Sequence, residues 1–86
     1  MAKYRVEIAR SAEKVLFKFP ENVLKKILQA IEALATNPYP IGCKKLSGEL
    51  NTFRIRIGDY RIIYEVFDKI VLIKILKIGH RKDVYR

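Results

Sequence analysis

"TFRIRIGDYRIIYEV" (Thr52–Val66) is the stretch whose reading decides the fold. Apolar and polar residues alternate on both sides of Gly58-Asp59, the period of a strand with one buried face. Glycine in the first of two central positions suits a type II′ turn, which joins two antiparallel strands directly. That turn fixes the register. Ile57 stands opposite Tyr60 and Arg56 opposite Arg61, with Arg54 on the same face as that pair. Phe53, Ile55, Ile57, Tyr60, Ile62 and Tyr64 take the other face, toward a core. The arginines are thereby turned outward together. Like charges placed directly opposite cost up to about 1 kcal/mol, a large share for a small domain. The plain reading is an exposed polar face neutralised by Glu65 or Asp83. The functional reading is an anion site, because a guanidinium stays charged at physiological pH and its planar fork matches phosphate.

Upstream, "KYRVEIA" (Lys3–Ala9) sets Tyr4, Val6 and Ile8 against Lys3, Arg5 and Glu7, as a half-buried strand does. Ser11 is placed to cap a helix through "AEKVLFKF", in which Ala12, Val15, Leu16 and Phe19 recur at helical spacing. Pro20 ends that helix and opens a second, where Val23, Leu24, Ile27, Leu28, Ile31 and Leu34 form one stripe. Asn37-Pro38-Tyr39-Pro40 stops it. Beyond the hairpin, "FDK" gives a tight connection to a last strand from Lys69 to Ile78. The expected fold is an α+β domain over residues 1–86, in the order strand, helix, helix, three strands. Its two antiparallel helices pack on one face of a small, mainly antiparallel sheet.

Charge narrows the partners. Eighteen basic residues against nine acidic leave +9, and the second half of the chain holds the larger surplus. So strong a surplus favours a polyanion, with nucleic acid first and an acidic protein second, over solubility alone. The single cysteine, Cys43, has no internal partner and reads as a passive, partly buried residue. "KIVLIKILKIG" is interrupted by Lys74 and Lys77 well short of a membrane span, and the charged start shows no signal peptide. A cytoplasmic protein is expected. The tail "GHRKDVYR" gathers His80, Arg81, Lys82 and Tyr85 after the last strand. Tyr85 is suited to stack on a base, Arg81 to reach a phosphate and His80 to act as an acid or base.

"KKLSGELNTFRIRIGDYRIIYEV" followed by "ILKIGHRKDVYR" resembles the RelE branch of the RelE/ParE superfamily, the toxins of type II toxin–antitoxin pairs. The likeness covers the whole chain. It rests on the element order, a "K-L-x-G" segment before the hairpin, "Y-R-I-I-Y" on the middle strand and "G-H-R-x-x-V-Y" at the end. It implies the RelE-like microbial ribonuclease fold and an endoribonuclease that cuts messenger RNA in the ribosomal A site. In that reaction a ribose 2′-hydroxyl attacks the adjacent phosphate, with no metal or other cofactor. The catalytic places of the family fall on Arg54, Arg56, Arg61, Arg81 and Tyr85, where Arg54 and Arg56 stand in place of lysine. Lys44, Lys45 and Lys82 become candidates for ribosomal RNA contacts. The implied partners are the ribosome, messenger RNA and an acidic, RelB-like antitoxin. Two alternatives share the fold: a ParE-like toxin that inhibits DNA gyrase by binding it, and an inactive nucleic-acid-binding member. ParE members generally lack the full set of basic residues with the tyrosine.

Overall fold

The computed structural model, which describes residues 3–46, 48 and 50–80, has two helices on a five-stranded sheet. The elements are β1 (Arg5–Ile8), α1 (Arg10–Leu16), α2 (Glu21–Thr36), β2 (Lys44–Lys45), β3 (Thr52–Ile57), β4 (Tyr60–Phe67) and β5 (Leu72–His80). The sheet order is β1-β5-β4-β3-β2, with β1 parallel to β5 and every other pair antiparallel. β3 ends at Ile57 and β4 begins at Tyr60, as expected, because the turn fixes both of these ends. Gly58 has φ +60° while Asp59 is not among the positive-φ residues, the sign pattern of a type II′ turn.

The helices differ from expectation at their ends. The amide of Ala9 donates to Ile75 O at 2.8 Å, and its carbonyl accepts from Glu13 N at 2.9 Å. Ala9 is therefore the N-cap, and Ser11 lies inside the first turn without capping it. Pairing with β5 carries the chain to Ala9 and sets where the helix begins. α1 ends at Leu16, after which Lys18 N and Phe19 N donate to Val15 O and Leu16 O in a tightened last turn. That twist brings Phe19 edge-on to Tyr60, ring centroids 5.1 Å apart. In α2 the buried stripe is Ile27, Ile31, Leu34 and Ala35, while Leu28 stays 45% exposed. Val23 and Leu24 pack against the core beside that stripe, so of the six expected residues Leu28 alone turns away.

Between β4 and β5 the chain makes a 3-10 turn, Asp68–Ile70, that ends at Val71 in the left-handed region (φ 53°, ψ 51°). The last strand therefore runs Leu72–His80 and not Lys69–Ile78. Both oxygens of the Asp68 carboxylate are engaged: Tyr4 donates to Oδ1 at 2.6 Å and Tyr39 to Oδ2 at 2.7 Å. One acid thus ties the start of β1 and the loop after α2 to this turn.

β5 also carries a bulge. Ile62 pairs with Ile78 and Ile63 with Lys77, but Tyr64 pairs with Ile75, so Leu76 is an extra residue. Without that shift Lys77 would face the core. With it, Ile73, Ile75 and Ile78 all face α1 and α2, packed with Ile55, Ile62, Tyr64 and Val66. Tyr64 is fully buried, its hydroxyl donating to Pro38 O at 2.8 Å and its ring stacked on Phe53. No helix among the described residues is long and apolar enough to cross a membrane.

Candidate functional site

The hairpin register is the one the turn dictates: Arg56 opposite Arg61, Ile57 opposite Tyr60 and Arg54 opposite Ile63. β2 sets Lys44 opposite Arg54, and β5 sets Gly79 opposite Arg61 and Lys77 opposite Ile63. Directly opposed residues share a face. The end of the outer face nearest the Gly58-Asp59 turn therefore carries Lys44, Arg54, Arg56, Arg61 and Lys77. The other end alternates in sign, with Glu65, Lys74 and Glu7 in one row. Positive charge is concentrated at one end of one face, which focuses field on an approaching anion.

Arg56 and Arg61 form the pair next to the one closing the turn. In a two-residue hairpin such a pair does not exchange hydrogen bonds, and its Cα atoms lie about 4.5 Å apart. Arg61 is only 8% exposed, where an exposed side chain was expected. Its Nε is buried and has no hydrogen-bond partner among the described residues. Neither Arg56 nor Arg61 pairs with a carboxylate among those residues. Gly79 offers no side chain at the register of Arg61, so β5 supplies nothing there to satisfy it. Two opposed guanidiniums, one of them desolvated, make an arrangement that an incoming anion would relieve.

Other candidates fall elsewhere. Lys45 pairs with Phe53 and so takes the helix-side face, away from Lys44. His80 pairs with Tyr60, also on the helix side, with its ring edge-on to that tyrosine at 5.7 Å. There it lines an open groove of ≈ 470 Å³ with Ser11, Val15 and Phe19, and is not brought to the arginines. Arg81, Lys82 and Tyr85 lie outside the described residues. Lys77 went unassigned in the sequence, although a signal exists. Alternation breaks at "Ile75-Leu76-Lys77-Ile78", where two residues stand between core isoleucines instead of one.

Beside the cationic face an open groove of ≈ 460 Å³ runs between α2 and β3. Ala30, Ala33 and Leu34 line its helix side, and Lys44, Arg54 and Arg56 its sheet side. Ile41, at its margin, is fully exposed. The described residues hold no cluster of His, Cys, Asp and Glu able to bind a metal. The chemistry on offer is anion binding and charge stabilisation by fixed cations.

Comparison with known proteins identifies the family of the chain. Residues 6–85 match the family model described as "ParE toxin of type II toxin-antitoxin system, parDE". RelE1 of Methanocaldococcus jannaschii is 38% identical, over 98% of this chain and 97% of its own. Toxin RelG of Mycobacterium tuberculosis is 35% identical, over 96% and 97%. RelE in the archaeal RelE–RelB complex from Pyrococcus horikoshii superposes with a TM-score of 0.84 at 35% identity, covering 98% of this chain and all of that one. The chain belongs to the RelE/ParE superfamily of type II toxin–antitoxin toxins, as a RelE-like member.

Proposed function

We propose that this toxin is a ribosome-dependent endoribonuclease that cuts messenger RNA in the A site without a metal. The observation that carries the reading is Arg61, desolvated, with Nε uncommitted, and directly opposed by Arg56. In the reaction the 2′-oxygen of a ribose attacks the adjoining phosphorus, and the bond from phosphorus to the 5′-oxygen breaks. The products are a 2′,3′-cyclic phosphate and a 5′-hydroxyl end. Phosphorus passes through a species with extra negative charge, which fixed cations stabilise without reorganising. Arg61 holds the scissile phosphate, while Arg54 and Arg56 orient the backbone and offset the added charge. Arg81 assists the departing 5′-oxygen, and Tyr85 stacks or relays a proton. Arginine does not give up its proton at working pH, so Arg56 is a charge stabiliser; the 2′-hydroxyl proton passes to a ribosomal group or through the Tyr85 phenol, which hands its own proton on to the departing 5′-oxygen. Lys44 adds a contact to ribosomal RNA.

Such a toxin works in the cytoplasm and needs neutralising. An acidic antitoxin segment laid in the groove between α2 and β3 would cover Lys44, Arg54 and Arg56 and bury Ile41. Three structural relatives at 30–35% identity come from RelE–RelB or RelBE toxin–antitoxin complexes, which supports such a partner. The family model carries a ParE description, and that favours a second reading: a protein-binding inhibitor of DNA gyrase. Cell-free translation with primer extension separates them. Cuts confined to A-site codons, with 5′-hydroxyl ends, are expected. Intact message with blocked DNA supercoiling would replace the nuclease reading by the second.

A further inference from the structure

Lys77 is a cation of the outer face that the hairpin does not supply. The β5 bulge puts it there: Leu76 is the extra residue, and Lys77 takes the side shared with Ile63 and Arg54. Its side chain is exposed and makes no ion pair with a described residue. Glu65 lines the same shallow hollow over Ile63, yet it is not paired with Lys77. Lys77 pairs with Ile63 and Gly79 with Arg61, so Lys77 and Arg61 are diagonal neighbours in the register. Such neighbours stand about 7–8 Å apart, a gap that two long side chains close around one anion. Gly79 places no side chain beside them. Lys44, the other lysine at this end of the face, lies two strands from β4, whereas Lys77 lies one.

We propose that Lys77 is the proton donor to the departing 5′-oxygen. The proposal rests on the RNA-cleaving reading and deepens it at one step. When a ribosomal RNA group takes the 2′-hydroxyl proton, the 5′-oxygen needs a proton from elsewhere. Arg81 offsets charge there, but a guanidinium keeps its proton, and the same holds for Arg54, Arg56 and Arg61. A lysine ammonium gives its proton up. Among the described cations within one strand and two residues of Arg61, Lys77 is the one that joins positive charge to a transferable proton. In the step, the 2′-oxygen bonds to phosphorus and the bond from phosphorus to the 5′-oxygen breaks, its electron pair going to that oxygen. The 5′-oxygen takes a proton from Nζ of Lys77, and the resulting amine recovers one from water. Proton transfer of this kind is worth about 100- to 10,000-fold in rate.

The test uses the full chain on programmed ribosomes, in single turnover, with two messages. One is natural, and the other carries sulfur in place of the 5′-oxygen at the cut. A thiolate leaves without being protonated, because a thiol is far more acidic than an alcohol. Lys77→Arg keeps the charge and withholds the proton, while Lys77→Met removes both. On the natural message each variant should cut about 100-fold or more slowly than wild type. On the sulfur message Lys77→Arg should cut at the wild-type rate. If Lys77→Arg cuts the natural message as fast as wild type, Lys77 supplies charge alone. If it is equally impaired on both messages, Lys77 holds RNA or structure. Either result overturns the proposal and leaves the nuclease reading standing. Absence of A-site cutting by wild type overturns both.

Discussion

Arg61 sets stability against chemistry. A guanidinium at 8% exposure with another opposite it is a desolvated charge held near a like charge. Replacing a buried charge by an apolar residue of similar length is often neutral or stabilising, whereas deleting an anion-stabilising donor costs a reaction about 100- to 1,000-fold. Arg61→Met should therefore raise the urea midpoint by the equivalent of about 1 kcal/mol, the scale of one cross-strand repulsion. The same variant should lose A-site cutting by about 100-fold or more in the primer-extension assay. Loss of stability together with loss of cutting would instead make Arg61 a structural group. The opposed pair is legible in the sequence because a two-residue turn leaves no freedom of register. Its burial is not, since alternation tells which face a side chain takes but not what surrounds it there.

At the scale of elements, β3 and β4 could be read to the residue, while the connection after them could not. Local turn chemistry governs the first. The second depends on Asp68 reaching Tyr4 and Tyr39, contacts spanning 64 and 29 residues that no local pattern announces. The two-residue β2 is invisible for a related reason: only its partner β3 makes it a strand. Val71 pays for this connection with a left-handed backbone that a β-branched residue tolerates poorly, at about 1–3 kcal/mol. Val71→Asn should raise the thermal midpoint by the equivalent of about 1 kcal/mol, read by calorimetry, because asparagine adopts that conformation more readily. Asp68 makes the turn pH-sensitive in a stated direction. Hydrogen bonds from Tyr4 and then Tyr39 lower its pKa, so its contribution is present above the ordinary aspartate value near 4 and is lost as pH falls through the lowered one. Burial and the bond to Asp68 push Tyr39 up to about 12, so its contribution holds below the ordinary tyrosine value near 10 and fades as pH rises toward 12. Stability measured against pH should show a shallower acid limb in Asp68→Asn than in wild type. An unchanged limb would mean that the two phenols do not hold the carboxylate in solution.

For the whole molecule, the net charge of +9 is less informative than its distribution. The outer face splits along the strands into a cationic end and a mixed end. The cationic end joins four strands through the pairings of β2 with β3, β3 with β4 and β4 with β5. Composition could give the sign of the partner, and only the sheet could give its place. Binding confined to this end has a thermodynamic mark. Each phosphate neutralised on a single strand contributes roughly −0.7 to the slope of log affinity against log salt. If Lys44, Arg54, Arg56 and Arg61 each meet one phosphate, the slope for a short single-stranded RNA should lie near about −3. Arg56→Ala should make it shallower by about 0.7, whereas replacing Lys25 or Lys26 on the exposed side of α2 should leave it unchanged. Fluorescence anisotropy over a series of potassium chloride concentrations measures all of these. A slope near twice that value, or one equally sensitive to the helix lysines, would show the RNA held by the general charge of the molecule, and the arginine face would lose its claim to be the site.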